Sequence, residues 1–308
     1  NTLTINGDVD VDLYVASGCE LNISSSNALT ISLGANATGN IEGSMTFSEG
    51  AHRLTASSTN PIIFTGSFTA GSGFSGSAFG TTSLNSVIFQ SGSTYIYMDG
   101  ANPFGADPPN SVVVFQTGSL YSHRGSGSPS FSGRTYADFE LDHNGTFNQT
   151  GTSKVSIDNL TVKQGTLNFN MAGTTEHFIK GNINVNAGAT LNFSPTSAGT
   201  VSLNGTSLQI ISGEGTISAN NFSTIQVNNT NGVQLNKTAS LYHMTVSSNA
   251  IFELSPTAAL TLGGDLTNNG TFSLQSDANG TASFILNGSY SGSGTFEIER
   301  YMTGGWSS

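Results

Sequence analysis

With 308 residues, only 9% of them charged, and a formal net charge of −11, the chain must cover its surface with Asn, Ser, Thr and Gly. Eight Lys and Arg against 38 Gly leave too few exposed-face residues for long helices, and too few cations to displace counterions from a phosphate backbone. Long helical architectures, nucleic-acid partners and polyanionic ligands are therefore set aside. No apolar run reaches the ~18 residues of a membrane span, so the chain reads as not membrane-spanning.

The chain opens without Met, which suits a mature product after signal removal or an excised segment. The first strand signal runs from Leu3 to Val15. Within it, Asp8, Asp10 and Asp12 share one face while Val9, Val11 and Leu13 take the other. Carboxylates spaced about 6.6 Å along a strand are calcium candidates, and Ca²⁺ is the one cofactor the sequence offers. The same alternation is also what a solvated strand face gives. The lone Cys19 forms no intrachain disulfide, so stability must come from elsewhere.

Residues 66–80 and 99–110 are rich in Gly, Ser and Pro and read as loops leaving the main architecture. Around them, VIFQSGSTYIY (87–97) and VVFQTGSLYSH (113–123) are copies offset by 26, aligning Phe89 with Phe115, Tyr95 with Tyr121 and Tyr97 with His123. Tyr95, Tyr97 and Tyr121, if outward, form an aromatic strip suited to stacking on sugar rings. The alternative is that they pack inward. Next come His123, Arg124, Arg134, Asp138, Glu140, Asp142 and His143, the densest ionisable group in the chain. Two carboxylates plus a proton donor are the minimum for glycoside hydrolysis. An enzyme reading therefore requires a groove holding Asp138, Glu140 and Arg134 together, whereas a mutually paired surface patch needs none.

From residue 145 a Gly-Thr-apolar phrase returns at GTF 145–147, GTL 165–167, ATL 189–191, GTI 215–217, GTF 270–272 and GTF 294–296, at steps of 20, 24, 26, 55 and 24 residues. A second phrase, NLTV (159–162), NINV (182–185), TIQV (224–227), HMTV (243–246) and DLTN (265–268), keeps the same beat. Inside each unit apolar and polar residues alternate, the period of a strand. The predicted architecture is an all-β parallel β-helix (β-solenoid) with coils of about 20–27 residues, three short strands per coil, Gly at the corners, and 1–308 as one solenoid. Roughly 12 coils at about 4.8 Å each make a rod on the order of 60 Å. Asn168 should stack over Asn192, Phe89 over Phe115 and Tyr95 over Tyr121.

The stretch 211–274, the phrase PSFSGRTYADFEL (129–141) and the ending GSGTFEIERYMTGGWSS (292–308) resemble β-solenoid regions of secreted surface proteins of Bacteroidetes bacteria. Those proteins leave the cell by the type IX secretion system and usually end in a C-terminal sorting domain. The resemblance implies a secreted, cell-surface location, a longer parent protein, contact with the secretion machinery through a region outside this sequence, and no catalytic residues to transfer. The leading expectation is a non-catalytic structural or adhesive protein, a stiff spacer or filament subunit that self-associates end to end. The others are a module binding surface polysaccharide through the tyrosines, and a β-helix polysaccharide lyase or hydrolase.

Overall fold

The computed structural model describes residues 2–5 and 13–302. It is an all-β parallel solenoid of about 12 turns. The chain divides into two compact units, residues 1–145 with 155–158, and residues 146–154 with 159–308.

In the first unit three walls start side by side. One carries Thr2–Ile5, Thr30–Leu33 and Arg53–Thr55; a second carries Leu13–Val15, Gly39–Ile41, Ile62–Phe64, Val87–Phe89 and Val113–Phe115. The third holds Glu20–Ile23, Ser44–Gly50, Ser67–Phe74, Thr94–Tyr97 and Leu120–His123, and continues into Asp138. The predicted loop 66–80 is corrected in its first half, because Ser67–Phe74 is a strand of this third wall. Its alternation, with Phe68, Ala70 and Phe74 fully buried, outweighs its glycine content.

The first wall stops at Arg53–Thr55, and the following coils are closed there by irregular segments 75–86, 98–112 and 124–137. Each sends a phenylalanine inward in place of a strand: Phe79, Phe104 and Phe131 are all 2% exposed or less. They meet a core built as two stacked columns, Phe64, Phe89 and Phe115 on one wall, Phe68, Tyr95, Tyr121 and Phe139 on the other. Within a column neighbouring rings are near parallel; between columns they meet edge-on, as Phe89 meets Tyr95 at 90° and Phe115 meets Tyr121 at 88°. Such pairs contribute about 1 kcal/mol each beyond burial. The herringbone follows from the register Phe89↔Phe115 and Tyr95↔Tyr121 that the 26-residue offset implies.

Corners use glycine for two physical reasons. Gly118 lies at φ 85°, a conformation that costs side-chain-bearing residues energy. Gly66 has an ordinary φ, but its missing Cβ would run into the carbonyl oxygens of Gly43 and Glu42 in the coil beneath. Close stacking, rather than turn geometry, demands glycine there.

The second unit repeats a three-walled coil throughout. From residue 160 the walls come in rotation: Leu160–Met171 spans two of them, followed by His177–Ile179, Ile183–Val185, Thr190–Phe193 and Gly199–Leu203. Asn168 does pair with Asn192 in register. The two sequence phrases, however, do not each mark one wall. NINV pairs with Gln209–Ser212, whereas TIQV and HMTV pair with each other on a different wall. Likewise Thr166, Thr190 and Thr216 share a wall, while Thr271 pairs with Ile251 and Thr295 on another. Gly-Thr announces a strand leaving a corner, and every coil has three corners. The core here is mostly aliphatic, with Val185, Leu191, Leu235, Val246 and Leu260 at 1% exposure or less.

Candidate functional site

The alternation that buries Tyr95 also decides the fate of the tyrosine strip. Tyr95, Tyr97 and Tyr121 are 0%, 5% and 1% exposed, so the outward aromatic strip expected as a glycan platform is not formed. All three rings sit on the inner face of their wall. Tyr97 stacks on His123 at 4.7 Å, and its hydroxyl donates to the Gly100 carbonyl at 2.9 Å. The Tyr121 hydroxyl lies 3.3 Å from His123 Nδ1. Burial holds all three phenols above their ordinary pKa.

The Tyr95 hydroxyl is buried without a hydrogen-bond partner. A buried, unpaired hydroxyl is destabilising, so Tyr95→Phe is expected to raise the unfolding free energy by about 1 kcal/mol. Denaturant titration of the two proteins checks this; a loss of stability in the variant would mean that the hydroxyl has a partner.

His123 is fully buried, and its Nε2 faces the Gly127 carbonyl at 2.6 Å. With Nε2–H donating to that carbonyl and Nδ1 accepting from Tyr121, the ring is satisfied in its neutral form. Burial lowers its pKa to about 4, and the nearby His143 pushes the same way.

Phe139 and Leu141 point into the core and Asp138, Glu140 and Asp142 alternate onto the opposite face, as the spacing predicts; Asp138 and Asp142 are half-buried there, and Glu140 is buried at 8% exposure. There Ser122 Oγ donates to Glu140 Oε1 at 2.9 Å, Arg124 Nε donates to Ser122 Oγ at 3.0 Å, and Arg124 lies 3.5 Å from Asp142. This is a cross-coil polar network on a wall. Arg134 is engaged elsewhere: Nη1 donates to the Asn110 carbonyl at 2.5 Å, Nη2 to the Ala106 carbonyl at 2.7 Å, and the guanidinium lies 4.8 Å from the centre of the Phe104 ring. The groove uniting Arg134 with Asp138 and Glu140 is thus replaced by two separate arrangements, a wall network and a clamped loop.

That loop borders a cleft of about 280 Å³, lined by Leu84, Pro109, Val114, Asn110, Ser111 and Thr135, with Arg134 at its wall. Sequence reasoning missed it. The available signal was the Pro-rich segment 99–110, whose strand-incompatible composition coincides with the place where a wall is missing.

Among the described residues no group of three or more His, Cys, Asp or Glu is placed to hold a metal ion, and no helix is long and apolar enough to cross a membrane. Asp8, Asp10 and Asp12 lie outside the described residues. Cys19 is free and exposed. Comparison with protein-family models, curated proteins and solved structures gives no match.

Proposed function

We propose that this chain is a non-catalytic structural or adhesive segment of a secreted surface protein, acting as a stiff spacer or filament subunit. The observation that supports it most is the continuity of inter-coil bonding. In the first unit each coil shares backbone pairing with the next, and the coils from Phe64 to Phe115 also share a column of stacked rings. In the second, side-chain amides and hydroxyls bridge successive coils: Asn168 donates to Asn148 at 2.7 Å, Asn192 to Asn168 at 2.8 Å, and Ser218 to Asn192. Bending or stretching such a stack breaks ladder, core and surface bonds together, which favours load-bearing. The resemblance to Bacteroidetes solenoids points to export by type IX secretion and a cell-surface location.

Among the described residues, Thr295–Ile298 pairs on one side with Thr271–Leu274, and Phe296 and Ile298 are 39% and 75% exposed. An edge of this kind accepts a further coil, from more of the same polypeptide or from a second copy. Negative-stain electron microscopy of the native protein is the test. Straight rods or end-to-end filaments are expected; flexible beads on a string would sink the spacer reading.

A further inference from the structure

The cleft beside Arg134 has a feature that clamping a loop does not account for. A guanidinium carries five N–H donors and a permanent charge. Arg134 is 5% exposed, two of its nitrogens are used on the Asn110 and Ala106 carbonyls, and Nε is buried without a partner. No carboxylate among the described residues forms an ion pair with it; the acid that stabilises its charge from a distance is the exposed Asp107. A buried cation without a counter-charge is costly, and an anion bound beside it offsets that cost.

The remaining walls narrow the class of anion. Leu84, Pro109 and Val114 are apolar, while Asn110, Ser111 and Thr135 bring amide and hydroxyl groups to the same space. A ring with one C–H face, several hydroxyls and a carboxylate matches this mixture, whereas inorganic phosphate would leave the apolar side unused. The volume lies just below the range of about 300–1,000 Å³ for drug-sized ligands. One ring fits that size, and the net charge of −11 opposes a polymer of such rings. We propose that this cleft binds a monosaccharide-sized sugar acid, with the Arg134 guanidinium receiving its carboxylate.

Isothermal titration with sodium glucuronate tests this, using glucuronamide as the neutral isostere and acetate as the carboxylate without a ring. Saturable glucuronate binding is expected, weakened about tenfold or more for glucuronamide, which offers the guanidinium only a neutral acceptor, and for acetate, which lacks the ring contacts with Leu84, Pro109 and Val114. Arg134→Gln should abolish it. Because that change also releases the loop, Thr135→Glu is the second variant: it hangs a carboxylate from an exposed position at the same cleft and should compete with the ligand while, by supplying a counter-charge to Arg134, leaving the melting temperature no lower than that of the parent. The proposal is overturned if glucuronate does not bind, if glucuronamide or acetate binds as well as glucuronate, or if Thr135→Glu binds glucuronate unchanged.

Discussion

Tyr121→Ala is expected to lower the unfolding free energy by about 4 kcal/mol, in the range of large aromatic-to-alanine changes in cores. The ring is 1% exposed and stacks between Tyr95 at 5.3 Å and Phe139 at 5.6 Å, with Phe115 and Tyr136 edge-on at 5.9 and 5.2 Å. Removing it interrupts one column and unseats the neighbouring one. The strands around it are fixed by ladders on both sides, so the gap cannot collapse easily. Tyr121→Phe retains the ring but leaves the buried His123 Nδ1 without its donor, so its cost should be about 1–2 kcal/mol, well below that of the alanine variant. Equilibrium denaturation of both variants separates packing from hydrogen bonding; an alanine loss no larger than the phenylalanine loss would contradict the column description.

Acidification should have the next largest effect. His123 has a folded pKa of about 4 against an ordinary value of 6.5, so the unfolded chain binds the extra proton between those limits. Stability is therefore full above about pH 6.5 and falls as pH drops toward 4, by about 3 kcal/mol from this residue. Burial also lowers the pKa of His177, which adds in the same direction. His123→Phe preserves a ring against Tyr97 while removing the proton site. Its stability should be lower at neutral pH through the lost bond to Gly127, and its slope between pH 6.5 and 4 flatter than that of the parent. Parallel slopes for the two proteins would place the acid sensitivity elsewhere.

Much of the architecture was legible because identical residues stack on themselves. Phe89 over Phe115 and Asn168 over Asn192 could be read as offsets before any coordinate, since in a parallel coil sequence offset is spatial neighbourhood. Wall identity was less legible: NLTV and TIQV look alike although they lie on different walls, because all walls demand the same alternation. The side chosen by a tyrosine was not legible at all. An amphipathic ring suits either face, and what settled Tyr95 and Tyr121 was their place in line with Phe68 and Phe139, a register that local sequence does not announce. The cleft was hidden for a related reason, since it arises where a strand is absent.

In the second unit, bridging side chains are separated by 19 residues between Ser255 and Asn236, 24 between Asn192 and Asn168, 26 between Ser218 and Asn192, and 28 between Ser212 and Asn184. The strands hold register while the corners absorb the difference. For the gene this is a forgiving arrangement. Small insertions fall where they shift nothing, and unequal recombination between similar coding segments adds or deletes a whole turn whose two faces already match their new neighbours.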